Sequence, residues 1–93
     1  MTNYLQGETS IINAEVTNSS GTYIDPTSIT CTIDDPVGTQ KVTGAMTKDE
    51  VGYYHYDYAL ASDALVGTWR AFVTAVVGTR TVIEDIRFIV EAN

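Results

Sequence analysis

A single cysteine, Cys31, excludes any intrachain disulfide, so this is not a small disulfide-stapled scaffold and no oxidising compartment is implied. A single histidine, His55, leaves any nucleophile only one imidazole base, and neither a Cys-x-x-Cys nor a His-x-x-x-His spacing is present to hold a metal. Basic residues are scarce. Five Lys and Arg stand against twelve Asp and Glu, a formal charge of -7 that repels nucleic-acid phosphate and anionic membrane alike. The long straight-chain helix formers are sparse too, which makes helix the minority expectation. The seven glycines are spread singly and never open a helical pattern, so no phosphate-cradling loop is present. The segment Met1 to Gln6 lacks the basic and apolar regions of a secretory signal or membrane anchor, so the expectation is a product made and left in the cytoplasm. With 93 residues and no linker, residues 1–93 are expected to form one domain around one core, too small for the deep pocket of an enzyme.

What the chain has in plenty is Thr, Val, Ile and Tyr, residues that suit a pleated, half-buried surface. Turn signals recur at short intervals at Gly7, Asn18 to Gly21, Asp25-Pro26, Asp34-Asp35-Pro36 with Gly38, Gly44, Gly52, Gly67 and Gly78. Between them lie alternating runs. Ser10 to Thr17 places Ile12, Ala14 and Val16 on one face, with Ile11 the exception, and Ser28 to Asp34 does the same with Ile29, Cys31 and Ile33. Gln40 to Met46 is weaker and predicts a short edge strand, with Lys41 and Lys48 near it to discourage pairing. Tyr53 to Leu60 sets Tyr54, Tyr56, Tyr58 and Leu60 against Tyr53, His55 and Asp57.

Thr68 to Val77 and Arg80 to Glu91 are joined by Gly78-Thr79, which predicts a two-residue hairpin turn with Gly at positive φ. That turn would set Trp69 opposite Phe88, Ala71 opposite Ile86 and Ala75 opposite Val82 on one side of the ribbon. It also puts Glu84 on the inner face opposite Val73, which calls for a bulge or a place at the rim. With Asn3 to Gln6 added, about seven strands need a second layer to cover their apolar faces. Two packed antiparallel sheets are the economical answer and a small closed barrel the alternative.

Few residues invite chemistry. Cys31 has no basic neighbour in sequence and is expected to be a small buried hydrophobe. His55 and Asp57 share a strand face, which is too few ligands for a selective metal site. The acidic pairs Asp34-Asp35, Asp49-Glu50 and Glu84-Asp85 lack the ordered ligand spacing of a calcium loop, and Asp34-Asp35-Pro36 is simply a turn. Two surfaces fit contact better. Tyr23 and Tyr53 are the candidate exposed aromatics, and the hairpin register turns Phe72, Val76, Ile83 and Ile89 outward, away from Trp69. Such a cluster marks an interface unless a loop or the N-terminal segment folds over it.

Several elements, in order, carry a resemblance: Tyr4-x-x-Gly7-Glu8, Gly21 before Asp25-Pro26, Ile33-Asp34-Asp35-Pro36-x-Gly38-Thr39, Gly52-x-Tyr54-x-Tyr56-x-Tyr58-x-Leu60, Gly67-Thr68-Trp69-Arg70, and Glu84 with Phe88-x-Val90. Spanning nearly the whole chain, they resemble the single-domain immunoglobulin-like proteins of tailed bacteriophages and the related bacterial and macroglobulin-type Ig-like modules. The lone Cys31 and the late Trp69 depart from the antibody pattern of an intersheet disulfide with a mid-chain Trp. The resemblance implies an all-β, immunoglobulin-like antiparallel β-sandwich that is not an enzyme and needs no cofactor. It implies a virion protein, a capsid decoration or tail accessory, that meets protein partners or its own copies after synthesis in the host cytoplasm. The alternative is a ligand- or carbohydrate-binding module of a larger surface or adhesion protein, using loops around Tyr23, Asp49 and Ser62.

Overall fold

Alternation of period two runs through most of the chain, and the computed structural model, which describes residues 2–93, turns it into eight strands. Met1, on which the expectation of an unprocessed start rests, lies outside the described residues. The strands are β1 (Thr2–Leu5), β2 (Thr9–Glu15), β3 (Ser28–Asp34), β4 (Gln40–Ala45), β5 (Thr47–Glu50), β6 (Tyr53–Ala59), β7 (Gly67–Val77) and β8 (Arg80–Glu91). They form a five-stranded sheet, β1-β8-β7-β3-β4, and a three-stranded sheet, β2-β6-β5. Two separate sheets make this a sandwich and not a closed barrel.

The pairings are antiparallel with one exception. β1 runs parallel to β8, with Thr2 beside Phe88 and Leu5 beside Glu91. The eighth strand is the one the sequence hides. β5 is Thr-Lys-Asp-Glu, exposed at every position, so it carries no apolar alternation. It continues β4 through Met46 alone, where the chain leaves the larger sheet for the smaller. Met46 secures that corner with a buried side chain and an N–H that donates to the Ile29 carbonyl at 3.1 Å.

The β7–β8 hairpin has the expected register. Its eleven pairs run unbroken from Gly67–Val90 to Val77–Arg80, with Trp69 opposite Phe88, Ala71 opposite Ile86 and Ala75 opposite Val82. Gly78 takes φ 61, the left-handed turn conformation that a residue with a Cβ resists. Glu84 does face inward opposite Val73, but no bulge relieves it. It is exposed because it sits at the rim.

The inner faces meet around Trp69, which is 2% exposed and stacks on Phe88 with ring centroids 6.0 Å apart. Tyr4 meets the Phe88 ring edge-on at 5.6 Å and Tyr58 tilts against Trp69 at 6.2 Å. The indole N–H donates to the Leu65 carbonyl at 2.8 Å, so this large side chain is buried with its polar atom satisfied. Cys31 lies fully buried between Ile29 and Ile33 on the same strand face, and burial pushes its thiol up to about 11. Tyr4 also joins the sheets, its hydroxyl accepting from the Ile11 N–H at 3.1 Å.

The Asp34-Asp35-Pro36 segment is the turn its residues predict. Asp35, only 4% exposed, accepts from the Val37 and Thr39 backbone N–H groups at 3.1 and 2.9 Å, while Lys41 stands 3.8 Å from its other oxygen. Truncating it leaves two backbone donors with no partner in a half-covered turn. Asp35→Ala is therefore expected to lower unfolding free energy by roughly 1–3 kcal/mol, measured by urea denaturation, with Asp34→Ala changing it much less.

Candidate contact surfaces

Tyr23 and Tyr53 are thirty positions apart in sequence, and the fold stacks their rings with centroids 4.6 Å apart at 27°. β6 turns Tyr53 to the outer face of the smaller sheet, because Tyr54 beside it faces the core. Tyr23 is delivered by the loop after β2, where Thr17 and Tyr23 form an isolated bridge. It remains 39% exposed. Across the strands Tyr53 has Glu15 on one side and Glu50 on the other. The Tyr23 hydroxyl, desolvation and these carboxylates together push the Tyr53 phenol up to about 12. The pair is an aromatic face with a negative border.

Asp25 holds this corner in place. One carboxylate oxygen accepts from the Gly52 N–H at 3.2 Å and the Tyr54 hydroxyl at 3.0 Å, and the other meets the Lys48 ammonium at 2.7 Å. The Lys48 hydrogen bond, with that from Gly52, pulls the Asp25 carboxyl below its usual range, and Asp25 in turn raises Lys48. Gly52 is sterically required. It has φ 80, and a Cβ there would stand 2.8 Å from both Tyr23 Cβ and the Val16 carbonyl oxygen. From sequence Asp25 is only part of a turn signal and Lys48 only an edge charge, and no local pattern links positions 23 apart.

His55 finds a partner other than the one its strand offers. Its Nδ1 lies 2.7 Å from Asp49 Oδ1 on the neighbouring edge, while Asp57 adds only a longer-range attraction. The hydrogen bond to Asp49 raises the imidazole above its usual value, against a smaller opposing effect of desolvation. The acidic pairs are similarly engaged: Asp35 with backbone amides, Asp49 with His55, and Asp85 with Arg70 at 2.8 Å and Arg87 at 3.5 Å. Among the described residues no three His, Cys, Asp or Glu side chains converge.

The outward residues of the hairpin share a face as the register requires, but they are unequally wet. Ile83 is 64% exposed, whereas Phe72, Val76 and Ile89 are half-buried. Over Phe72 lies Arg70, its guanidinium 4.7 Å from the ring centroid while gripping Asp85. The loops around Tyr23 and Ser62 lie at opposite ends of β6, a strand spanning roughly 20 Å, and so do not form one site. The hollows present are shallow, one of about 220 Å³ lying between Ala14, Val16, Val73 and Val82 on the open side of the sandwich.

A five-plus-three sandwich with this strand order is an immunoglobulin-like domain. Its counterparts are modules. Residues matching 96% of this chain make up 6% of Salmonella alpha-2-macroglobulin, at 26% identity and a TM-score of 0.80. An endo-β-1,4-mannanase from Thermotoga petrophila matches 99% of this chain over 18% of its own, at 16% identity and TM-score 0.68. The Lin-41 filamin domain matches 97% of this chain and 83% of that one, at 14% identity and TM-score 0.66. The last two likenesses show the fold alone. Neither a protein-family model nor a curated protein matches the sequence. The chain thus resembles an Ig-like module of bacterial macroglobulins, and the phage origin that the sequence motifs suggested is not among these findings.

The His55–Asp49 contact carries a sign. A raised folded-state value means the pair stabilises fully below the ordinary histidine value of 6.5 and loses that contribution as pH rises through the folded value. Asp49→Asn should therefore lower the melting temperature more near pH ~6 than near pH ~9. An equal loss at both would mean that the charge on His55 contributes nothing.

Proposed function

We propose that this chain is a non-catalytic Ig-like structural and binding module, one unit of a larger surface or adhesion assembly, that meets protein partners and needs no cofactor. The observation that carries this is its match, over 96% of its length, to a segment forming 6% of a bacterial alpha-2-macroglobulin. Support against catalysis comes from the groups themselves. The sole imidazole is tied to Asp49, the sole thiol is buried, and the buried Ser10 hydroxyl donates to the Tyr58 carbonyl at 3.1 Å.

The contact surface of this reading is the Tyr23–Tyr53 stack. An exposed tyrosine face bordered by Glu15 and Glu50 suits a Lys or Arg side chain of a protein partner better than an anion, and the net charge of -7 points the same way. Nucleic acid and anionic membrane are disfavoured for the same reason. A second reading, a virion accessory protein assembled in the host cytoplasm, is favoured by the outward apolar row of Phe72, Val76, Ile83 and Ile89 on one sheet face.

A 15N-labelled sample titrated with a short Lys-rich peptide tests the first reading. Shifts confined to the amides around Glu15, Tyr23, Glu50 and Tyr53, weakened about tenfold in Tyr23→Ala, are expected. Shifts absent there, or unchanged in Tyr23→Ala, would remove the aromatic corner as the contact surface. Movement of the Phe72 and Ile83 amides on adding purified capsid would instead favour the virion reading.

A further inference from the structure

A sheet edge offers unpaired N–H and C=O groups to any passing strand, and most edges of this sandwich are guarded. β2 is guarded at Ile11, whose N–H and C=O both meet the Tyr4 hydroxyl. β5 is four residues long and bulged against β6. β4 carries Lys41 and a register shift at Ile33/Asp34. β1 is short and covers β8 only from Phe88 to Glu91. Among the described residues the remaining side of β8, Arg80 to Arg87, has no strand beside it.

That free edge is correctly oriented to pair. The Glu91 carbonyl accepts from Gln6 on the β1 side at 3.0 Å, and alternation along an unbulged strand turns the backbone groups of Thr81, Ile83 and Asp85 the same way. Val82 and Ile83 on it are 60% and 64% exposed, one on each face.

We propose that this edge pairs antiparallel with the same edge of a second copy, about a twofold axis at Val82. Continuing each face of the sheet into the other copy requires residues of like parity to oppose each other. Centring on Val82 sets Val82 against Val82, Thr81 against Ile83, and Arg80 against Glu84 of the second copy, the last pair occurring twice by symmetry. It places the partner's turn glycine opposite Ile86, just short of Phe88, where Thr2 already sits. Centring on Ile83 would drive that turn into Thr2 and set Glu84 against Val82. Centring on Glu84 would oppose two carboxylates. Centring on Thr81 shortens the overlap and leaves Arg80 against Val82. The inward Glu84, a charge that repels a generic strand, thus selects this register.

Cysteine scanning on the full chain tests the register. A residue opposite its own copy in a non-hydrogen-bonded pair has Cα atoms about 4.5 Å apart, within disulfide reach, whereas Ile83 and its copy would be separated by roughly 8 Å. Val82→Cys should oxidise rapidly to a covalent dimer and Ile83→Cys, equally exposed, should not. Cys31 is buried and does not compete. Sedimentation equilibrium supplies the second arm. Arg80→Glu and Glu84→Arg should each weaken self-association about tenfold, and the double variant should restore it. A wild-type chain that stays monomeric at millimolar concentration, equal oxidation of the two cysteine variants, or no rescue by the double swap would each overturn the proposal. Folding of every variant is checked by its near-ultraviolet circular dichroism, to which the buried Trp69 contributes.

Discussion

The two-residue turn at Gly78-Thr79 sets the pairing of the longest strands, and the remainder of the molecule depends on that register. With Val77 held against Arg80, period-two alternation carries Trp69 and Phe88 to the same inner position eight pairs away. A slip of one residue would turn Phe88 and Val90 out to water and bring Arg87 and Ile89 inward. The aromatic cluster that joins the sheets, Tyr4, Tyr58, Trp69 and Phe88, exists only in this register. Burial of rings of this size is worth several kcal/mol each when lost, enough to make alternative pairings uncompetitive.

Around that hairpin the sandwich is asymmetric. The five-stranded sheet has two strands more than the three-stranded one, and Glu84 and Val82 face inward on β8 and yet remain wet. Among the described residues β1 pairs with β8 only from Phe88 to Glu91. At the opposite face of the molecule the smaller sheet bears Tyr53, His55 and their acidic neighbours, fixed by Asp25 from a loop. The two proposed contacts thus fall on a backbone edge of one sheet and a side-chain corner of the other.

Much of the architecture was legible in the residues. The runs Ser28–Asp34 and Arg80–Glu91 coincide with strands, and the inward sets of β2, β3 and β7 are those the alternation marks. β5 was illegible because a short strand exposed on both faces has no hydrophobic period. Of the residues expected as exposed aromatics, Tyr23 is exposed and Tyr53 half-buried, and their stacking was not legible, since it depends on how a loop returns over β6. The partner of His55 was open to misassignment for a related reason. Asp57 shares its face at the wider spacing along the strand, while Asp49 is brought within hydrogen-bond distance from the neighbouring edge.

By itself the sequence determined what local chemistry can decide: an all-β chain, the turn at Gly78-Thr79, the Asp35 turn, a buried Cys31, and which side of each strand is apolar. These follow from φ preference and period-two alternation, which act between near neighbours. The tertiary structure alone decided which exposed residues are truly open, because exposure is a property of what lies across the sheet. Arg70 packs on Phe72 while Ile83 stays 64% exposed, and among the described residues β1 reaches β8 only from Thr2 opposite Phe88, leaving the edge from Arg80 to Arg87 free.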